Sequence, residues 1–324
     1  MIEWWQVANE TDIEIFSVKL CESMNNENLK GEKSTMPDNS RAINRVFTRG
    51  VINSLIERGS SDVYDYVVSR YVNDYESKTH GQIIREIYHC LGREHRNEYY
   101  YMNTLLNRLL CGNKHNVNTT TALSQMRVGR HIADFVLING EGLVYEIKSD
   151  LDNYDRLFSQ LSDYYRAFSY VAVLADAEDR YRVERVLASF GDMGVAVGIY
   201  DLTERNTINW MNGREPKLFD DYLDHCSIFK ILRKREYENV LLHTCGKLPQ
   251  VAPVFHFRAC LEQFKQIPIK KAQDIAVNEL RKRNKISKTV FERIQPELRS
   301  TVYFAGLSRK IPQLEELLQS NYRG

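Results

Sequence analysis

The sequence lacks the features of several large protein classes. Its 324 residues include only 7 prolines and 16 glycines, which excludes a collagen-like fibre. No apolar run approaches the roughly 18–20 residues of a membrane-spanning helix, so we expect no membrane partner. The chain begins MIEWW, without the basic start and apolar stretch of a secretory signal, and we therefore expect a cytoplasmic protein.

Cysteine is also scarce. The six cysteines are too few for a disulfide scaffold, and no two of them have the Cys-x-x-Cys spacing of a zinc ribbon. We therefore expect reduced thiols, as in the cytosol.

The net charge is close to zero, but the charges are unevenly distributed. The chain has 44 basic and 43 acidic residues, or +1 overall. Residues 230–310 hold 18 Lys and Arg but only 7 Asp and Glu, whereas residues 1–229 hold 25 basic and 34 acidic side chains. A basic carboxy-terminal third favours a polyanionic partner. The alternative is that the acidic and basic parts of the chain bind each other.

Apolar periodicity predicts three regions: a helical amino-terminal region (1–80), an α/β domain (81–205) and a basic, mainly helical carboxy-terminal domain (206–324). In the middle region a helix, three strands, a helix and a strand follow one another, and a further helix and strand come after them. This order predicts an α/β sheet on which helices pack. The predicted elements are 97–110 (helix), 122–128, 132–138 and 143–147 (strands), 152–168 (helix), 170–174 (strand), 178–190 (helix) and 195–200 (strand).

The most informative residues lie on the second and third predicted strands. Side chains alternate along a strand, so Glu146 and Lys148 share one face of the sheet. Asp134 joins them only if Ile138 pairs with Gly142, which leaves a three-residue loop between the two strands. A two-residue turn would place Asp134 on the opposite face.

Two carboxylates and a lysine on one face suit phosphoryl chemistry. Carboxylate oxygens are hard ligands for Mg²⁺ or Mn²⁺. Such an ion neutralises charge on a phosphate and lowers the pKa of a bound water, and a lysine can orient that water. The structural alternative is a solvated strand face on which Glu146 and Lys148 pair with each other.

Three further residues extend this pattern. Glu98 lies near the amino-terminal end of the helix before the sheet, and Gln160 and Tyr164 share one face of the helix after Lys148. Each has a plainer explanation, because Glu98 can stabilise the helix dipole, Gln160 can be a surface residue and Tyr164 a core aromatic. The basic residues ahead of Asp134 are either phosphate contacts or an exposed loop: Arg127, Arg130 and His131.

These residues together resemble the PD-(D/E)xK, or restriction-endonuclease-like, nuclease superfamily, in its RecB-type branch with a Gln-x-x-x-Tyr motif. The resemblance covers residues 86–174 and implies an α-β-β-β-α-β core with a mixed sheet, flanked by helical regions. One departure is Ala133, which stands where the motif's name has proline. The resemblance implies metal ligands at Glu98, Asp134 and Glu146. It implies catalytic roles for Asp134, Glu146, Lys148, Gln160 and Tyr164.

The function implied by this resemblance is that of a metal-dependent endonuclease or exonuclease. With Mg²⁺ or Mn²⁺ as cofactor, it would hydrolyse DNA phosphodiester bonds by a metal-activated water. DNA is the expected partner, although net charge does not separate DNA from RNA. A homodimer, which would allow paired cuts, and a protein partner stay open. The alternative function is that of a catalytically silent or partner-dependent protein of the same fold, a DNA-binding or protein-interaction module in a phage or in host defence.

Overall fold

A six-stranded sheet runs through the middle of the chain. The computed structural model describes residues 39–94, 96–111, 117–149, 152–203, 205, 207–283 and 286–323. The strands are β1 (Thr121–Val128), β2 (His131–Asn139), β3 (Glu141–Ile147), β4 (Tyr170–Asp176), β5 (Gly198–Leu202) and β6 (Ile208–Arg214). They lie side by side in chain order. The first three are antiparallel, β3, β4 and β5 are parallel, and β6 is antiparallel to β5, so the sheet is mixed.

Helices precede, interrupt and follow this sheet. Before it lie α1 (Asn39–Val46), α2 (Arg49–Arg58), α3 (Asp62–Tyr71), α4 (His80–Glu94) and α5 (Glu98–Leu110). Between its strands lie α6 (Leu157–Tyr165), α7 (Arg180–Ala188) and α8 (Gly191–Ala196). After it come α9 (His225–Lys230), α10 (Lys234–Cys245), α11 (Pro253–Phe264), α12 (Ile269–Leu280), α13 (Lys288–Arg293), α14 (Arg299–Phe304) and α15 (Ile311–Gln319). None of the described helices has the length and apolarity needed to cross a bilayer.

The α/β prediction is confirmed at this level. The elements α5, β1, β2, β3, α6 and β4 follow in the predicted order, and α7, α8 and β5 come next. Parallel strands need a crossover connection, which α6 supplies between β3 and β4 and the α7–α8 pair supplies between β4 and β5. Residues 39–80 are mostly helical, as predicted for that part of the amino-terminal region, and residues 1–38 lie outside the described residues.

The hairpin between β2 and β3 has the register that Asp134 needs to share a face with Glu146. Ile138 pairs with Gly142, and the ladder continues by one pair more than expected, to Asn139 and Glu141. Gly140 alone forms the tip, with φ 84°, a left-handed conformation that glycine adopts without strain. The even-numbered residues of both strands therefore share a face, which is the condition set for bringing Asp134 to the side of Glu146.

Helices cover both faces of the sheet. On one face Val136, Val144 and Val173 are buried against Leu157 and Leu161 of α6. On the other face the rings of Phe135 and Phe304, the latter from α14, lie 5.8 Å apart in an edge-on contact. Burial on both faces explains why β4 is continuously apolar from Val171 to Ala175 rather than alternating.

The carboxy-terminal region packs directly on this framework. Residues Asn39–Gly324 form one compact unit, and Thr121 Oγ1 at the start of β1 donates a hydrogen bond to the carbonyl of Arg281 at 2.7 Å. The region is mainly helical, but its first element is the strand β6, which was not predicted. The domain boundaries at residues 80 and 205, which rest on apolar periodicity, stay a prediction.

Candidate active site

Asp134 is unpaired in both ladders of strand β2. Its ladder with β1 includes Phe135 and Ala133 but not Asp134, and its ladder with β3 begins only at Phe135. The Asp134 side chain replaces a backbone hydrogen bond between β2 and β3, because its Oδ2 accepts from the backbone N–H of Ile147 at 2.8 Å. This contact fixes the carboxylate against the end of β3.

Glu146 and Lys148 lie together at the carboxy-terminal end of β3. Their relative exposures are 2% and 6%, so both charges are buried. Lys148 Nζ lies 2.9 Å from Glu146 Oε1, which satisfies part of the charge of each. The alternation of side chains therefore places them on one face, as predicted, and the pairing foreseen in the structural alternative is present as well.

Helix α6 brings Gln160 and Tyr164 onto this pair. The Gln160 amide bridges the two charges, because its Oε1 accepts from Lys148 Nζ at 3.0 Å and its Nε2 donates to Glu146 Oε1. The Tyr164 hydroxyl lies 2.7 Å from Glu146 Oε2 and 2.8 Å from the carbonyl oxygen of Ile132. The expected i and i+4 placement is therefore observed. Gln160 is more than a surface residue and Tyr164 more than a core aromatic, since each forms a hydrogen bond with Glu146.

The acidic side chains of this region are close enough to influence one another. Burial raises the pKa of Asp134 to about 8, and the negative charges of Glu146 and Glu98 act in the same direction. The Ile147 hydrogen bond and the Lys148 charge oppose this rise without cancelling it. Asp134 is thus held in surroundings that disfavour its negative charge unless a cation is added.

Glu98 approaches the site from helix α5. It is the first helical residue, after the cap residue Asn97, whose side chain accepts from the N–H of Tyr100. Desolvation, and then the charges of Asp152 and Glu146, raise the pKa of Glu98, although its outer surface is exposed to solvent. Its place in the first turn also suits the helix dipole, so the plainer explanation holds alongside the functional one.

Two residues of this neighbourhood were missed by sequence reasoning. Gln125 donates from Nε2 to Glu98 Oε1 at 2.6 Å, and Asp152 closes a turn in which its Oδ2 accepts from the N–H and hydroxyl of Ser149. A glutamine within a strand carries no motif. Asp152 offered only the weak signal of an acidic residue shortly after Lys148.

The metal prediction meets a geometric test here. Among the residues that the structure describes, no group of three or more His, Cys, Asp and Glu side chains is arranged to hold a metal ion. Both oxygens of Glu146 are engaged by Lys148, Gln160 and Tyr164 instead. The donor chemistry nevertheless fits a hard cation, since carboxylates raise one another's pKa at this place. Metal binding stays a proposal.

The turn between β1 and β2 is basic and lies beside α6. Arg127 and Arg130 are exposed, and 84% of the Arg130 side chain is open to solvent. Asp163 of α6 holds the turn, because its Oδ2 accepts from the N–H of Arg130 at 2.8 Å and lies 2.8 Å from His131 Nδ1. His131 is therefore tied to a carboxylate, whereas Arg127 is exposed and Arg130, also exposed, has its Nε 4.0 Å from the same Asp163 Oδ2.

The fold and these residues define a mixed α/β protein with a buried carboxylate–lysine cluster at the open end of the β2–β3 hairpin, away from its tip. A family model described as bacteriophage P4 protein cII matches residues 92–302, which is more than half of the chain and includes every residue of the candidate site. The chain belongs to that family. No curated protein and no solved structure matches it.

Proposed function

We propose that this protein is a divalent-cation-dependent deoxyribonuclease of the PD-(D/E)xK type, with α5, β1, β2, β3, α6 and β4 as its core. One observation carries the proposal. Asp134, Glu146 and Lys148 from the hairpin, and Gln160 and Tyr164 from α6, converge at the end of β3 in the register that the motif requires. A buried carboxylate finds partners in any role, so the convergence of all five motif residues, rather than the Glu-x-Lys triplet, supports the proposal.

Each residue has a distinct part in the proposed reaction. Glu98, Asp134 and Glu146 would hold Mg²⁺ or Mn²⁺, and when bound such an ion supplies positive charge to the phosphate and lowers the pKa of a water. Lys148 stabilises the negative charge that develops on the phosphate as the bond breaks. Gln160 fixes the distance between Lys148 and Glu146 through its two polar atoms.

Tyr164 has a supporting part. Its hydroxyl lies 2.7 Å from Glu146 Oε2, so it limits the directions in which this carboxylate can turn. Burial, and then the negative charge of Glu146, raise the pKa of Tyr164 far above its usual range, so the phenol keeps its proton and remains a donor to the carboxylate.

DNA is the proposed substrate because exposed arginines lie in the β1–β2 turn beside α6 and further exposed basic residues occur in the carboxy-terminal region. Several charges of that region are used internally, as in the ion pairs of Lys270 with Asp220 and of Lys310 with Glu57. The alternative in which acidic and basic parts bind each other is thus partly met. Other basic residues remain exposed for phosphate contacts. They include Arg235, Arg258, Lys271, Arg281 and Arg309.

A nuclease assay tests this proposal directly. Linear, circular, single-stranded and double-stranded DNA are each incubated with the protein in Mg²⁺, Mn²⁺ or EDTA. We expect metal-dependent cleavage by the wild type and none by Asp134→Ala or Lys148→Ala. The matched control is Lys265→Ala, which removes an exposed lysine whose charge is paired with Glu262 outside the cluster, and it should cleave like the wild type.

Loss of the fold must be separated from loss of chemistry in this assay. Asp134→Asn keeps an oxygen that can accept from the Ile147 N–H, so it should remain folded while losing cleavage. Cleavage at wild-type rate by this variant would show that the site assignment is wrong.

A second function is favoured by the closed hydrogen bonding around Glu146. Because Lys148, Gln160 and Tyr164 satisfy its two oxygens, the cluster can serve as a structural network in a silent or partner-dependent module. Salt-sensitive DNA binding without cleavage on any of the substrates would support this second function over the first.

A further inference from the structure

The backbone of β1 is irregular at one residue only, Gln125. Its φ is 51°, in the left-handed region that side chains with a Cβ disfavour. Of the described residues other than glycine, just Gln125 and Asp74 have a positive φ. The ladder of β1 with β2 keeps its register on either side of Gln125, through the pairs of Ser124 with Phe135 and Met126 with Ala133.

This irregularity faces the candidate site. The register places Gln125 opposite Asp134, so the residue with the unfavourable backbone is the cross-strand neighbour of the central carboxylate. The left-handed conformation interrupts the alternation of side chains along β1 and releases Gln125 from the ladder. Its side chain reaches α5, where Nε2 donates to Glu98 Oε1 at 2.6 Å.

Glu98 needs such a contact to stay near the other carboxylates. It begins its helix, its outer surface is exposed, and the charges of Asp152 and Glu146 repel it. A flexible side chain in that position would turn towards solvent, where its charge is better hydrated. Among the residues that the structure describes, only Gln125 donates a hydrogen bond to the Glu98 carboxylate, and this bond opposes the repulsion.

We propose that Gln125 is a positioning residue of the cation site, and that the left-handed turn in β1 exists to hold the Glu98 carboxylate towards Asp134 and Glu146. This inference rests on the proposed function, which it deepens by adding an outer residue to the ligand set. Backbone strain that persists beside a site is explained when it positions a functional group. Outer residues that orient ligands affect metal affinity even though they do not touch the metal.

The test separates backbone strain from the amide contact. Gln125→Gly removes the amide and relieves the left-handed strain, so the protein should be at least as stable as the wild type. Gln125→Asn tolerates the same backbone but is one methylene shorter, so its amide should not reach Glu98. The matched control is Asp74→Gly, which relieves the same kind of strain away from the site.

Mn²⁺ binding is measured calorimetrically without DNA, and thermal unfolding is measured in EDTA. We expect both Gln125 variants to bind Mn²⁺ about tenfold more weakly than the wild type. Gln125→Gly should keep or raise Tm, and Asp74→Gly should keep wild-type affinity. In a Glu98→Ala background, Gln125→Gly should have no further effect on affinity, because the carboxylate that Gln125 holds is absent.

Different results would overturn different claims. Wild-type affinity in Gln125→Gly, with affinity lost in Asp134→Asn, would overturn the role of Gln125 and leave the proposed function intact. A fall in Tm that parallels the fall in affinity would show that Gln125 is merely structural. A wild-type protein that neither binds Mn²⁺ nor cleaves DNA would overturn the proposed function and this inference together.

Discussion

At the scale of single residues, the Asp134 carboxyl couples the candidate site to folding stability. Burial, and then the charge of Glu146, raise the pKa of Asp134 to about 8 from 3.8. The folded protein therefore binds this proton more tightly than the unfolded chain does. The free energy of unfolding falls as the pH rises between these two values, because the carboxyl must ionise in unfavourable surroundings.

This coupling predicts a pH-dependent difference between the wild type and Asp134→Asn in EDTA. From about pH 4 to about pH 8 the wild type should lose stability relative to the variant, by up to about 1.4 kcal/mol per pH unit. Urea unfolding at several pH values measures the difference. Parallel stability curves would contradict the raised pKa. Mn²⁺ should stabilise the wild type more at the upper end of this range, because binding requires the ionised carboxylate.

The residue scale also shows how far the sequence could predict the site. Strand periodicity sufficed to place Glu146 and Lys148 on one face, but the hairpin register entered only as the condition for Asp134 to join them, which the structure meets. It could not predict that Gln160 bridges those two charges, since that depends on how α6 packs on the sheet. The left-handed backbone conformation of Gln125 could not be predicted from the sequence either, because glutamine has no marked preference for positive φ.

At the scale of elements, the turn between β1 and β2 depends on a glycine. Gly129 has φ 59°, and a Cβ at this position would lie 2.7 Å from the carboxylate of Asp163. That carboxylate accepts from the Arg130 N–H and contacts His131, so it cannot move without breaking the connection between turn and helix.

We therefore expect Gly129→Ala to lower the free energy of unfolding by about 1–3 kcal/mol, from backbone strain and displacement of Asp163. Gly140→Ala is the matched control, because Gly140 also has a positive φ but no heavy atom lies within 4 Å of its added Cβ. It should cost only the backbone term, roughly 1–2 kcal/mol. Urea unfolding compares the two, and equal losses would show that the Asp163 contact contributes nothing.

Element boundaries were less predictable than element order. Helix α6 begins at Leu157 rather than near residue 152, because Asp152 instead closes a turn with Ser149. The predicted strand at 195–200 starts inside α8, and its pairing begins at Gly198. Strand β6 was missed because Ile208–Arg214 lacks apolar alternation and pairs irregularly with β5 at the edge of the sheet.

At the scale of the whole molecule, the basic residues fall into two groups with different tasks. Arg283 belongs to the first group: its Nε and Nη2 donate to the two oxygens of Glu236 at 2.8 Å and 2.7 Å. Only 12% of its side chain is exposed. Arg127 and Arg130, at the turn beside the site, belong to the second group and are open to solvent.

The two groups should respond differently to substitution. Among the described residues, Arg283→Ala leaves the partly buried Glu236 with only the hydrogen bond from the Arg233 N–H and should cost about 1–3 kcal/mol of stability. Arg127→Ala and Arg130→Ala should leave stability unchanged within about 0.5 kcal/mol. If they contact phosphate, each should reduce the slope of log binding constant against log salt concentration by about 1. Titrations of labelled DNA at several salt concentrations provide the slope, and an unchanged slope would exclude both arginines from the interface.

The chain-order arrangement of the strands has a consequence for synthesis. Since every strand pairs with the strand made just before it, the sheet can be assembled in the order in which the ribosome delivers it. Helix α14, which packs on the Phe135 side of the sheet, is synthesised late, because Phe135 leaves the ribosome well before its neighbour Phe304. A nascent chain that has completed β6 but not α14 would carry this uncovered ring, and chaperones would be most needed during that interval.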